Sequence, residues 1–150
     1  MNSLTPIQVP PGEGTRTFVI GNRITIKLHG RNTGGAFALI ESVDAPGEGP
    51  PPHVHAREDE CFFVLEGEYE VFCDGRRIPA SAGTTIFAPR GLAHNYRSIG
   101  KSRGRLLTTI SPAGFEKFFE EINAMPPEHQ EIPKVVAIGK KYGLEFLPPT

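Results

Sequence analysis

The sequence predicts an all-β fold, a barrel or jelly roll followed by short C-terminal helices, and three observations carry that prediction. Glycine (17) and proline (15) are frequent without any repeating period, and they fall between short apolar runs. That is the punctuation of a chain with many turns and short strands. The runs themselves are rich in β-branched and aromatic residues, which suit a pleated, half-buried surface. Only near the end do apolar residues recur at helical spacing. At 150 residues the chain is the size of one domain, large enough to bury roughly 70% of the surface its unfolded form exposes.

Residues 1–16, with Pro6, Pro10, Pro11, Gly12 and Gly14, show no sustained period and are expected to form an extended N-terminal arm. A barrel is expected over 17–111 and a helical tail packed on it over 112–150. The first strands are TFVI, RITIKL and AFALIESV, separated by Gly21-Asn22 and Gly34-Gly35. Asp44 to Pro52 is a Pro/Gly-rich loop that delivers the chain to His53. CFFVL and EYEVFC, joined at Glu66-Gly67, form the clearest hairpin pattern. A two-residue turn there sets Glu60 opposite Cys73, Phe62 opposite Val71 and Val64 opposite Tyr69, all on one face. Cys61, Phe63, Leu65 and Phe72 occupy the other, so both faces need cover. After Asp74-Gly75 come Arg76 to Ala80, TTIFA, AHNYRSI and RLLTTI, which makes eight or nine strands in about 95 residues, a spacing that suits a barrel.

Ser111 is expected to cap a helix with Pro112 at its first position, where Phe115, Phe118, Phe119 and Ile122 line one stripe facing the barrel. Pro126-Pro127 stops it. A second short helix over 133–142 is expected to end at Gly143, with Leu144, Phe146 and Leu147 tucked back. These aromatics read as core packing.

Composition excludes several partners. Net charge is −1, and Lys and Arg are spread along the chain, so no electrostatic footprint for nucleic acid exists. Apolar runs fall far short of the ~20 residues a spanning helix needs. MNSLTPIQVP lacks the basic and apolar regions of an export signal, so a soluble, cytoplasmic protein without a membrane partner is expected. In that setting Cys61 and Cys73 read as free thiols.

The candidate chemistry lies between Gly47 and His94. Residues i and i+2 of a strand share a face, so His53 and His55 can reach one ion, and the stiff Pro50-Pro51-Pro52 run holds their approach in place. Glu60 adds a hard oxygen, and His94 a third imidazole from a neighbouring strand. Such donors suit one divalent transition metal ion, whether Fe, Ni, Mn, Zn, Cu or Co. Four protein ligands leave positions open for water, dioxygen or substrate. His29 and His129 read instead as satisfied or surface histidines. The expected hairpin face places Phe62, Val64, Tyr69, Val71 and Cys73 around the ion, with Tyr96 two residues after His94 on the same side. A pocket walled in this way suits a small aromatic molecule better than a phosphate or a sugar acid.

The spacing resembles the two motifs of the cupin superfamily. Gly47, five residues, His53, one residue, His55, four residues, Glu60, six residues and Gly67 fill every fixed position of the first. Gly83, Pro89, Gly91 and His94 match the second, while Ser98 stands where asparagine is usual. That asparagine is not a metal ligand in the family. The resemblance implies a double-stranded β-helix, the cupin jelly-roll barrel, with His53, His55, Glu60 and His94 as metal ligands. The trailing Gly67 selects Glu60 over Asp59, and Glu58 and Asp59 then read as solvated loop charges. The tail SPAGFEKFFEEI makes the chain similar to the small quercetinase-type cupins. That likeness implies a dioxygenase, in which a flavonol-like or other enol- or phenol-bearing aromatic binds the metal through a hydroxyl oxygen. Glu60 takes or shares its proton, and dioxygen attacks the activated ring. Cupins also include non-catalytic small-molecule binding modules and non-oxidative isomerases or lyases, which stand as alternatives. Small cupins commonly dimerise, so a homodimer is expected.

Overall fold

Turn chemistry and strand alternation resolve into two antiparallel sheets in the computed structural model, which describes residues 4–148. Residues 1–3 of the expected arm and 149–150 of the expected tail lie outside the described residues. The strands are β1 (Thr15–Val19), β2 (Asn22–Leu28), β3 (Ala38–Asp44), β4 (His53–His55), β5 (Asp59–Glu66), β6 (Glu68–Cys73), β7 (Arg76–Ser81), β8 (Thr85–Ala88), β9 (His94–Ser98), β10 (Gly104–Ser111) and β11 (Leu144–Phe146). Two helices, α1 (Glu116–Asn123) and α2 (Ile132–Lys141), lie between β10 and β11. One sheet runs β1-β2-β3-β10-β5-β8 and the other β11-β4-β9-β6-β7, so from β3 to β6 the chain changes sheet at every step. Among the described residues no helix is long and apolar enough to cross a membrane.

Local turns behave as their residues dictate. Asp74 (φ 52°) and Gly75 (φ 73°) both sit in the left-handed region, the two-residue turn that matches strand twist, and they close the β6–β7 hairpin. The β1–β2 turn falls one residue earlier than expected, on Ile20 and Gly21, because Val19 pairs with Asn22.

The hairpin expected between β5 and β6 does not form. β5 pairs with β10 and β8, so Glu60 lies beside Ile110 and Ala88, whereas β6 pairs with β7 and β9 and Cys73 lies beside His94. Gly67, at φ 88°, carries the chain across between sheets so close to the β10 strand that a Cβ there would lie 2.9 Å from the Gly104 Cα. The apolar pairs persist in a different geometry. Phe62 and Val64 of one sheet share a buried cluster with Tyr69 and Val71 of the other. Sheet-to-sheet packing buries both sets at once, and each large side chain so buried contributes about 1.5–3 kcal/mol.

Ser111 does not cap a helix. It is the last residue of β10 and pairs with Asp59, so α1 begins a turn later, at Glu116. The expected apolar stripe is present: Phe115, Phe118, Phe119 and Ile122 are buried together with Val19, Ile24 and Ile40 of the barrel. Buried Glu116 accepts hydrogen bonds from the Gly30 and Gly114 amides at 3.0 and 2.7 Å and anchors α1 to the β2–β3 connection. α2 ends before Gly143, which takes φ 75° as a helix-terminating glycine.

Candidate metal centre

The ligand candidates come from three strands on both sides of the interior. The alternation of β4 turns His53 and His55 inward, His94 opens β9 directly opposite His53, and Glu60 projects from β5 in the facing sheet. All four are buried, and one donor atom from each lies within 4.8 Å of the others. Glu60 Oε1 is 2.9 Å from His55 Nε2 and 2.7 Å from His94 Nε2.

The rings are aimed by their second nitrogens. His53 Nδ1 donates to the Pro51 carbonyl at 2.8 Å and His94 Nδ1 to that of Leu92 at 3.2 Å, which leaves each Nε2 as the atom available to an ion. Burial, and then the neighbouring His94, lower the His53 pKa to about 4, so it stays neutral and ready to ligate. Burial opposes ionisation of Glu60, but the adjacent His55 and His94 hold it well below the usual carboxylate range. For His55, burial favours the neutral ring, yet Glu60 and Glu58 outweigh it and push the pKa up to about 9. Three imidazoles converging on one carboxylate in a buried space are the donor set of a first-row transition ion, and they fit one. Those residues would hold it, and the ion would replace the ring proton that His55 now shares with Glu60.

One partner of this site went unread in the sequence. β4 makes a single register pair with β9, and its other edge is occupied by β11, where Leu144, Glu145 and Phe146 pair with His55, Val54 and His53. Hydrogen bonds from Ala56 N to Gly143 O (2.9 Å) and from Leu147 N to Pro52 O (2.8 Å) extend that ladder at both ends. The C-terminal strand therefore staples the ligand strand along its length. Glu58 also departs from expectation. It is buried, 3.5 Å from His55 Nδ1, whereas Asp59 does lie at the surface and pairs with Arg90.

Beside the centre lies a largely apolar cavity of about 560 Å³, lined among others by His53, His55, Glu60 and Tyr96. Val19, Ile24, Ile40 and Thr108 of the barrel form part of the remaining wall, and the tail supplies the rest: Phe115, Phe118 and Phe119 at α1, Val135 and Val136 of α2, and Leu144 and Phe146 of β11. Of the six residues expected to wall it, only Tyr96 does so. Phe62, Val64, Tyr69, Val71 and Cys73 fill the opposite half of the barrel, because they meet across the sheets instead of lining one hairpin face. The helix aromatics, read from the sequence as packing alone, serve both purposes. Their stripe spacing was the available signal, but nothing in it distinguishes a filled interface from a partly empty one.

A chain of hydroxyls backs the cavity wall. Asp44 accepts from Tyr69 (2.7 Å) and from Ser42 (3.1 Å), and since the single Ser42 proton goes to that carboxylate, Tyr96 donates to Ser42 (3.3 Å). Burial raises the Asp44 pKa to about 6 despite these donors, and burial followed by the nearby Asp44 raises that of Tyr96, which remains a neutral phenol.

The cupin domain family matches residues 41–110. The chain is 27% identical over 117 residues to quercetin 2,3-dioxygenase of Bacillus subtilis (strain 168), across 78% of this chain and 34% of that protein. It is 33% identical over 80 residues to polyketide synthase CurC of Streptomyces cyaneus, across 53% of this chain and 51% of that one. The chain thus spans about a third of the first of these curated relatives and about half of the second. Among solved structures, KdgF from Halomonas sp. shares the fold with a TM-score of 0.66 at 21% identity, covering 75% of this chain and 99% of that one. Residues 41–110, just under half of the chain, thus carry a cupin domain, and all four ligand candidates lie within it on the strands of the two-sheet barrel.

Proposed function

We propose that the protein is a metal-dependent dioxygenase acting on a flavonol-like or other enol- or phenol-bearing aromatic. The observation that carries this reading is the aromatic cavity opening onto His53, His55 and Glu60, a slot with an apolar body and one reactive end. The likeness to a quercetin dioxygenase supports it. When bound, the ion supplies Lewis acidity and a site for the oxygen atoms of substrate and dioxygen. Glu60, at the cavity floor, is placed to accept the proton of a substrate hydroxyl, and Phe115, Phe118 and Phe146 exclude water while they orient the ring. Tyr96 has its proton committed to Ser42, so the hydrogen-bonding capacity it has left is that of an acceptor, matched to a hydroxylated ligand. Both atoms of dioxygen enter the product of such a reaction, so no external reductant is needed.

The test is loss of flavonol absorbance in metal-loaded protein, with and without oxygen. Oxygen-dependent decay is expected, and its absence with every one of the six candidate metals sinks the proposal. A second reading is a non-oxidative isomerase or lyase using the same cavity, with Glu60 as the base beside the ion. Substrate conversion that proceeds equally without oxygen selects that reading.

We further propose a homodimer. Phe63 (38% exposed) on β5 and Phe87 (60% exposed) on β8 stand on the outer face of the larger sheet, away from the helices, and a second copy covering that face would remove them from water.

A further inference from the structure

Two of the three ligand imidazoles are aimed by backbone carbonyls, and His55 is the exception. β4 ends at His55 and the chain turns away, so no carbonyl faces its Nδ1. What faces it is Glu58 Oε1 at 3.5 Å, three residues on. Both side chains are buried, and neither of these two atoms has a hydrogen-bond partner. Buried polar atoms are rarely left alone, and two orphans aimed at each other across slightly more than a hydrogen-bond length make a pair that a small ring rotation closes. Glu58 is not itself one of the four clustered donors.

We propose that Glu58 is a positioning residue: it accepts the Nδ1 proton of His55 and so holds the ring in the tautomer that turns a bare Nε2 toward the metal. His53 and His94 obtain this service from the main chain, which a side-chain substitution cannot remove, whereas the His55 partner is a carboxylate and can be deleted. The role belongs to the metal centre and stands whether the reaction is oxidative or not. Carboxylate partners of this kind typically change metal affinity by about 10–100-fold when removed.

The experiment compares wild type, Glu58→Gln and Glu58→Ala, each titrated with Co(II) against a competing chelator while its visible spectrum is followed. Long-range ¹H–¹⁵N NMR of the zinc-loaded protein assigns the His55 tautomer. Glu58→Ala is expected to bind Co(II) about 10–100-fold more weakly with a shifted spectrum, and Glu58→Gln, which keeps an acceptor oxygen, to lose only several-fold. In zinc-loaded wild type His55 should carry its proton on Nδ1. Co(II) affinity within twofold of wild type in Glu58→Ala overturns the proposal, and so does a His55 protonated on Nε2. If Glu58→Ala does not fold, the wild-type tautomer and the Glu58→Gln spectrum decide alone: either an unchanged spectrum or an Nε2 proton overturns the role.

Discussion

The barrel has two apolar halves of similar composition and different fate. In one, Phe62, Val64, Tyr69, Val71, Ala80 and Leu106 come from strands alone and pack across the two sheets, and none of them lines the cavity. In the other, Val19, Ile24 and Ile40 meet Phe115, Phe118, Phe119, Val135 and Leu144 of the tail, and the cavity stays open over the metal ligands. Strands in register place side chains at fixed intervals and fill the space between sheets. Helices laid across a barrel mouth cannot follow that lattice, and the mismatch leaves room. A site next to the second half gets a roof and a slot from one set of residues.

The comparison can be broken most severely at the centre itself. Metal analysis of untagged protein is expected to give about one equivalent of a transition ion and His94→Ala to lose most of it, since a missing imidazole leaves three donors around a buried ion. An unchanged metal content in that variant means that the ligand set is wrong. Next in size are paired truncations read by urea denaturation. Phe62→Ala in the filled half should cost about 3–5 kcal/mol, and Phe118→Ala on the cavity wall about 1–3 kcal/mol, because part of that ring already faces empty space. Equal losses would erase the distinction between the halves.

Asp44 sits at the seam, bonded to Tyr69 on the filled side and linked through Ser42 to Tyr96 on the open one. Its folded pKa of about 6 lies above the ordinary 3.8, so the native state keeps a proton that the unfolded chain releases. Stability therefore falls as pH rises from about 4 through 6 and levels off above that, by at most about 3 kcal/mol. Asp44→Asn should flatten this slope in denaturation at stepped pH, and a slope that survives the substitution assigns it to another group. The smallest effect concerns the outer face. Phe87→Ser should change monomer stability by no more than about 0.5 kcal/mol yet weaken self-association in light scattering. A wild-type monomer there refutes the homodimer.

Much of this site was legible residue by residue. The interval from Gly47 through His53, His55 and Glu60 to Gly67 marks the candidate ligands through its resemblance to the cupin motif, and the two-residue strand period adds that His53 and His55 share a face. The stripe Phe115, Phe118, Phe119 and Ile122 names a helix face by its helical spacing. Glu58 was misread for want of any local signal: an acidic residue in a turn has the same sequence whether it faces water or a ring nitrogen. Strand partners were misread too, since Cys73 pairs with His94 and Leu144 with His55 across long stretches of chain.

By itself, then, the sequence determined most of the strands and the helix stripe, which follow from periodicities shorter than one turn or hairpin, and through its motif spacing the four candidate donor residues. Tertiary structure alone decided which strands are neighbours, that the C-terminal strand staples the ligand strand, and which apolar half stays open. Those outcomes depend on closing long loops and on how well whole surfaces interlock, and the energy that selects among them is spread over contacts between residues far apart in the chain.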